Sequence, residues 1–323
     1  MKQHRTQAIG LLFGMALLTG QAHAEPINVV TSIKPLELLV RAVATEDTNV
    51  TTLVPSGSSP HTYHMRPSER RAMEEADLIF WVGPELETFL TRILGGHDFE
   101  HRTHALAPPN PDEAAPQDDH DEAHLHHDEP EKHAEHGQHK EKGGHGGHNH
   151  GDGEDPHVWL DPAIALQMAE TIHDRLVEQP EADKSQLTRN LDAFRQSLNT
   201  REAAIREQLM AAEGISLFTY HDAFGRFAEH YGLSIAGVLT PNPDRSPGAR
   251  HVAEVQTQLK GSNQPCLLSE PQFDREWWRA ISEGVEVKRS TWDPLASEIT
   301  ADAEGYLNFQ QQLADAVVAC LPE

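Results

Sequence analysis

Residues 108–156 form a polar tract with almost no apolar side chains, and this tract most constrains how the chain can fold. Between residues 112 and 155 it carries fourteen acidic residues against three lysines. Such a segment cannot bury enough apolar surface to offset the conformational entropy lost on ordering. The folded core must therefore be built from the chain before residue 108 and the chain after residue 156.

The remaining sequence is long enough for two compact lobes. The chain has 323 residues, and a single hydrophobic core stops growing at roughly 250–300 residues. Its formal net charge is −25, from 26 basic and 51 acidic residues. Nucleic-acid binding is excluded, because it needs clustered lysine and arginine, whereas this composition attracts cations.

Residues 1–24 have the pattern of a secretory signal peptide. Lys2 and Arg5 precede an apolar run at residues 9–18, and Ala22-His23-Ala24 fits the small-x-small cleavage pattern. The alternative, a transmembrane anchor, needs about 20 apolar residues, and this run has about ten. We therefore expect cleavage after Ala24 and, in a bacterium, a soluble protein in the periplasm.

Short apolar runs alternate with helical stretches on both sides of the tract, a pattern typical of parallel sheets with crossover helices. The predicted strands are residues 27–31, 50–54, 78–82, 215–220, 235–239, 266–269 and 285–289. The predicted helices are residues 35–45, 67–76, 85–94, 222–230, 248–259, 272–283 and 299–319, with one more that ends near residue 177. We predict an α/β fold of two lobes, each with a mostly parallel sheet.

Residues 183–212 predict one long helix, because six apolar residues recur along it at helical spacing. These are Leu187, Leu191, Phe194, Leu198, Ile205 and Leu209. A helix of this length spans about 45 Å and would join the lobes as a rigid connection. The expected organisation is a signal peptide at 1–24, an N-terminal lobe at 25–180 that includes the tract, a connecting helix at 181–212 and a C-terminal lobe at 213–323. We expect a monomer.

The polar tract is also rich in histidine. Its ten histidines are His120, His124, His126, His127, His133, His136, His139, His145, His148 and His150. Histidine-rich segments bind divalent transition metals through neutral imidazole nitrogen. In a chain without fixed geometry, we expect several weak and interchangeable metal sites rather than one tight site.

Three histidines outside the tract, His61, His157 and His221, each lie at a predicted strand-to-helix junction. Ligands of open α/β sheets bind outside the carboxyl ends of the strands, so three imidazoles meeting there would form a site suited to Zn²⁺. Asp293 has the analogous position after the last predicted strand, as a fourth ligand or as a group that orients an imidazole. A single histidine in a loop is more often a surface residue than a ligand, and His64 is the main rival of His61.

Both cysteines, Cys266 and Cys320, lie in the C-terminal part of the chain. In an oxidising compartment two thiols favour one disulfide. The alternative is a cysteine metal site, which usually needs more thiols or closely spaced partners.

Several segments together resemble the cluster A-I family of metal solute-binding proteins, which serve ABC importers. The resemblance is carried by residues 59–68 (SPHTYHMRPS), 81–87 (WVGPELE), 155–162 (DPHVWLDP), 219–224 (TYHDAF) and 291–295 (TWDPL). Within the family, the histidine-rich insertion, His221 and the two distant cysteines are similar to the zinc receptors. Manganese-binding relatives typically have glutamate at the position of His221.

The resemblance implies zinc held between two α/β lobes by His61, His157 and His221, and a disulfide between Cys266 and Cys320. Some zinc receptors have glutamate immediately before the first histidine, but this chain has Pro60 there, which leaves Asp293 or water as the fourth ligand. The resemblance also implies capture of zinc in the periplasm and its delivery to a membrane permease driven by a cytoplasmic ATPase. The tract would then be an accessory segment that collects or senses zinc.

Three other functions remain open at this point. A zinc hydrolase would use three ligands and an open fourth position, but the sequence contains no His-Glu-x-x-His pair and no evident general base. A manganese or iron receptor of the same fold would differ in metal preference. A periplasmic metal buffer that acts through the tract would need no permease.

Overall fold

The computed structural model describes residues 26–108, 155–240, 243, 246–273 and 276–322. The predicted signal peptide and all ten histidines of the polar tract lie outside these residues. Within the described part of the chain, no helix combines the length and the apolar composition needed to cross a bilayer.

The N-terminal lobe is built on four parallel strands in the order β2-β1-β3-β4. The strands are β1 (Asn28–Thr31), β2 (Asn49–Thr52), β3 (Leu78–Trp81) and β4 (Thr103–Ala105). The accompanying helices are α1 (Lys34–Val43), α2 (Pro67–Glu75), α3 (Thr88–Leu94) and α4 (Pro162–Val177). All four side chains of β3 are buried, as expected of a central parallel strand with both faces covered.

The C-terminal lobe repeats this topology with four parallel strands in the order β6-β5-β7-β8. The strands are β5 (Ser216–His221), β6 (Ile235–Thr240), β7 (Pro265–Ser269) and β8 (Lys288–Thr291). The helices after α4 are α5 (Lys184–Leu209), α6 (Gly225–Tyr231), α7 (Ala249–Gly261), α8 (Glu276–Ile281) and α9 (Gly305–Val318). The prediction of two α/β lobes with parallel sheets is therefore confirmed.

Some predicted boundaries are wrong. The last strand lies at Lys288–Thr291 rather than 285–289, because Val285 and Val287 pack against a cluster in the C-terminal lobe from an irregular segment that follows the turn at Gly284. The strand at Thr103–Ala105 was not predicted, since its three residues carry almost no apolar signal. The helix predicted at 272–283 is reduced to Glu276–Ile281.

The long predicted helix is present as α5, and a 3₁₀ turn at Met210–Ala212 continues it. Asp183 caps its start by accepting a hydrogen bond from the backbone N–H of Gln186 at 3.0 Å. All six apolar residues of the predicted stripe are buried, and the helix packs against α1, α4 and α9. One hydrophobic cluster extends from Val29 to Cys320, so both lobes share the core around α5.

The C-terminal helix α9 also contacts the N-terminal lobe. A Cβ atom at Gly305 would lie 2.8 Å from Leu38 on α1 and 2.7 Å from the backbone oxygen of Thr300, so this close approach requires glycine. The Tyr306 hydroxyl donates to the backbone oxygen of Trp159 at 2.8 Å. Two helices, α5 and α9, therefore connect the lobes, where the sequence predicted one.

A disulfide joins Cys266 on β7 to Cys320 just after α9, as the resemblance implied. Both residues are buried. The bond attaches the end of the C-terminal helix to a central strand of the second sheet.

Replacing both cysteines with alanine should lower the free energy of unfolding. The bond closes a loop with a sequence separation of 54 residues, and the expected loss from the released loop entropy is about 4 kcal/mol. Urea denaturation of the metal-free protein measures this loss. A reducing agent should lower the free energy of unfolding of the parent but not that of the double-alanine variant. A loss below about 1 kcal/mol would show that the bond does not constrain the unfolded chain as expected.

Candidate metal centre

His221 lies at the point where the strand order of the second sheet reverses. It is the last residue of β5, whereas the sequence placed it just after the strand. The chain leaves β5 for β6 on one side and later returns to β7 on the other, which opens a crevice at the carboxyl ends of β5 and β7. The His221 side chain is only 4% exposed, so its imidazole is held inside this crevice.

Glu270, the residue after β7, fixes the orientation of His221 across the crevice. Its Oε1 lies 2.8 Å from His221 Nδ1 and accepts the His221 backbone N–H at 3.2 Å. Glu270 is itself 1% exposed. Sequence analysis missed this residue, although its place directly after a predicted strand was the available signal.

His157 reaches the same point from the segment that precedes α4. Asp155 Oδ1 lies 2.7 Å from His157 Nδ1 and accepts the backbone N–H of His157 at 3.0 Å. Arg226 on α6 donates to the backbone oxygen of Asp155 from Nε at 2.9 Å and from a terminal nitrogen at 2.7 Å. The C-terminal lobe thus positions the segment that carries His157.

His61 comes from the loop that follows β2 in the N-terminal lobe. Its backbone N–H donates to the Ser59 hydroxyl at 3.3 Å, and its side chain is half-buried. His64, the predicted rival, is exposed and lies outside the cluster. The three histidines therefore approach from three separate parts of the chain.

The three imidazoles converge through their Nε2 atoms. His157 Nε2 lies 3.3 Å from His61 Nε2 and 3.4 Å from His221 Nε2. In a tetrahedral site with Zn–N bonds of about 2.0–2.1 Å, two ligand nitrogens lie about 3.3–3.4 Å apart. Among the described residues, these three form the one group of histidine, cysteine or acidic side chains with metal-site spacing, and we call it the histidine cluster.

The proton positions in the cluster favour a cation at its centre. Nδ1 of His157 and Nδ1 of His221 carry the protons that they donate to Asp155 and Glu270, so their Nε2 atoms present lone pairs. Two lone pairs 3.4 Å apart, with no hydrogen between them, repel each other. A metal ion bound between the two nitrogens converts this repulsion into attraction.

A small apolar cavity surrounds the cluster. Its apolar lining residues are Pro60, Trp159, Phe273, Pro294 and Leu295. The cavity has a volume of about 10 Å³, enough for one ion or one water molecule. The arrangement can hold a single ion but has no room for an organic substrate beside it.

Burial keeps the imidazoles of His61 and His157 neutral and so ready to bind a metal. Desolvation, followed by the nearby His157 and His221, lowers the pKa of His61 to about 3. Desolvation also lowers the pKa of His157, against the opposing effect of Asp155. Burial alone would raise the pKa of Asp155, but its hydrogen bond and charge interaction with His157 outweigh that effect and hold the pKa below its ordinary value.

Asp293 is buried, but the structure does not bring it into the histidine cluster. Its Oδ1 accepts hydrogen bonds from Gln272 Nε2 at 2.8 Å and from the backbone N–H of Leu295 at 3.0 Å. Its Oδ2 accepts the backbone N–H of Ser297 at 2.6 Å. These bonds hold the loop after β8, while Asp155 and Glu270 are the carboxylates that orient the imidazoles.

The fold and the cluster define a class of protein, a two-lobed α/β binding protein whose interlobe site has the donor atoms for a divalent transition metal. Solved structures share the fold. The periplasmic zinc-binding protein TroA from Treponema pallidum has a TM-score of 0.67 at 20% identity, covering 93% of this chain and 100% of that one. A crystal structure of ZnuA has a TM-score of 0.65 at 19% identity, covering 90% and 99%.

The sequence comparisons identify the family. The family model for ZnuA, described as zinc-uptake complex component A, periplasmic, matches residues 29–320. High-affinity zinc uptake system proteins ZnuA are 37% identical in Yersinia pestis, over 96% of both chains, and 36% identical in Haemophilus ducreyi, over 97% of this chain and 98% of that one. The chain belongs to the ZnuA family, whose members are periplasmic binding components of zinc uptake and not enzymes.

The two carboxylates that orient the imidazoles should matter for metal affinity. In Asp155→Asn and Glu270→Gln, the side chain keeps its size but loses the negative charge. That charge makes the imidazole nitrogen a stronger metal ligand. Each change should weaken zinc binding about 10- to 100-fold, as measured by chelator competition. Asp174→Asn is the matched control. Asp174 Oδ1 lies 3.1 Å from His173 Nδ1, and this pair is outside the histidine cluster. Affinities within about threefold of the parent would contradict the role assigned to Asp155 and Glu270.

Proposed function

We propose that this chain captures Zn²⁺ between its two lobes with His61, His157 and His221, and delivers it to the membrane permease of an ABC importer. The observation that carries the proposal is the pair of Nε2–Nε2 distances, 3.3 and 3.4 Å, which equal the edge of a tetrahedral zinc site. Membership of the ZnuA family supports zinc as the cargo.

The donor set favours zinc over manganese. All three donors are imidazole nitrogens, which suit Zn²⁺, whereas Mn²⁺ prefers carboxylate and carbonyl oxygen. The apolar walls of the cavity also disfavour a larger ion that keeps several water ligands. Zinc binding to His61 and His157 needs no deprotonation at neutral pH, because burial already keeps these two imidazoles neutral.

Capture couples the lobes because the ligands come from both. His61 belongs to the N-terminal lobe and His221 to the C-terminal lobe, so one ion bonds to both. The shared core around α5 and α9 limits how far the lobes can separate. Release then needs a partner that displaces a ligand, and we assign that step to the permease, with its cytoplasmic ATPase as the energy source.

We further propose that the chain is exported, is cleaved after Ala24 and acts as a monomer in the periplasm. The sequence pattern of residues 1–24 supports the export. The histidines of the polar tract take an accessory role, collecting or sensing zinc through several weak sites while the cluster supplies the tight site.

A zinc titration with manganese as competitor tests the proposal. The protein starts at Glu25 and is compared with and without residues 112–153. Both forms should show one tight site that prefers zinc. Alanine at position 61, 157 or 221 should weaken it more than about a hundredfold, since a structural zinc site stores roughly 10–16 kcal/mol over four ligands.

His64→Ala is the matched control for His61→Ala. It makes the same substitution three residues further along the same loop, at an exposed side chain outside the cluster. This variant should bind zinc like the parent. Loss of all tight binding on removal of residues 112–153, with the three alanine variants unaffected, would move recognition from the cluster to the tract and overturn the proposal.

A further inference from the structure

Gln272 stands between the histidine cluster and Asp293. It is one of the residues that line the cavity around the imidazoles, whereas Asp293 is not. Gln272 Nε2 donates to Asp293 Oδ1 at 2.8 Å and to the Ser297 hydroxyl at 3.3 Å. One end of this amide is therefore bound to the loop that carries Asp293.

The other end of the amide has no hydrogen-bond partner within the part of the chain that the structure describes. Gln272 Oε1 is buried and accepts no hydrogen bond from any residue that the structure describes. A buried acceptor without a donor is costly, so a ligand that donates a hydrogen bond to it would be favoured at this position. The orphaned oxygen belongs to the side chain that borders the metal cavity.

A zinc ion bound by three imidazoles leaves one tetrahedral position open, and water commonly fills it. Water on zinc is a strong hydrogen-bond donor and needs an acceptor in a desolvated site. Glu270 already accepts from His221, and most of the cavity wall is apolar. Two buried acceptors of the lining have no hydrogen-bond partner among the described residues, Glu270 Oε2 and Gln272 Oε1, and Gln272 Oε1 is the one outside the ion pair with His221.

We propose that Gln272 sets the metal selectivity of the cluster: its Nε2 holds Asp293 away from the bound ion, and its Oε1 accepts a hydrogen bond from the water that completes zinc coordination. This inference rests on the proposed function, because it takes zinc in the histidine cluster as its starting point. Gln272 acts through Asp293 and the water, so it is a positioning residue and not a ligand.

The consequence for selectivity follows from the donor atoms. With Asp293 held aside, the site offers nitrogen ligands and one water, which favours zinc. Without the Nε2 donor, Asp293 Oδ1 loses one of its two hydrogen bonds and becomes free to offer oxygen to the ion. A carboxylate in the coordination sphere would favour harder ions such as manganese.

The test is Gln272→Leu in the full mature chain, with zinc and manganese set at chelator-buffered concentrations below those that fill the weak tract sites. The zinc-to-manganese affinity ratio should fall at least about tenfold. Cobalt, as a spectroscopic probe, should give a tetrahedral absorption spectrum in the parent and a weaker, higher-coordinate spectrum in the variant. In the double variant that adds Asp293→Asn to Gln272→Leu, the zinc-to-manganese affinity ratio should return most of the way to that of the parent.

The matched control is Gln311→Leu, which removes another half-buried glutamine whose Nε2 donates to two side chains, Gln208 and Asp315, on α5 and α9. The parent and this control should both bind zinc tightly. If they do, and the zinc-to-manganese affinity ratio of Gln272→Leu equals that of the parent, the inference fails while the proposed function stands. If the parent has no tight site in the cluster, the proposed function itself fails. Should Gln272→Leu not fold, Gln272→Glu retains the size, removes the donor and repels Asp293, and an unchanged ratio there also overturns the inference.

Discussion

The structure depends on one constraint, which is that the Nε2 atoms of His61, His157 and His221 must face one another in a small cavity with apolar walls. The Nε2 lone pairs of His157 and His221 lie 3.4 Å apart, so the surrounding protein must hold these two groups in place. Asp155 and Glu270 do this for His157 and His221 by accepting hydrogen bonds from their Nδ1 atoms at 2.7 and 2.8 Å. Because these hydrogen bonds already orient the imidazoles, less binding energy is spent on ordering the ligands, which is how preorganisation strengthens binding.

The scaffold keeps this arrangement rigid by tying the three ligand segments to one core. The Trp159 indole donates to the backbone oxygen of Pro294 at 2.8 Å, which links the segment of His157 to the loop after β8. The Tyr306 hydroxyl on α9 donates to the backbone oxygen of Trp159, and α9 packs on α1 in the N-terminal lobe. Because these contacts cross between the lobes, a displacement of either lobe would move the segments that carry the histidines.

Much of the architecture follows from the sequence because apolar periodicity and turn residues act locally. Apolar runs such as Leu78–Trp81 predict buried parallel strands, and the stripe from Leu187 to Leu209 predicts α5. The three histidines could be proposed because the carboxyl ends of parallel strands collect ligands. Their convergence could not be derived from spacing, since the hydrogen bonds that orient them, such as Glu270 to His221, join residues far apart in the chain. The second lobe connection through α9 depends likewise on a long-range fit, that of Gly305 against Leu38.

Asp293 shows where reasoning from position reaches its limit. Its place after β8 matches that of a metal ligand, and the sequence contains nothing that distinguishes a ligand from a loop anchor. The distinction comes from its partners, because two backbone N–H groups and the amide of Gln272 already occupy its oxygens. Hydrogen-bond partners two to twenty-one residues away decide what the carboxylate can do, and only the folded chain reveals them.

Zinc K-edge X-ray absorption of the one-to-one zinc complex, in protein that lacks residues 112–153, tests the central claim most directly. The account predicts three imidazole ligands and one oxygen at about 2.0–2.1 Å, with the outer-shell scattering that imidazole rings produce. A first shell with fewer than three imidazoles, or one dominated by carboxylate oxygen, would contradict the claim that the histidine cluster is the zinc site.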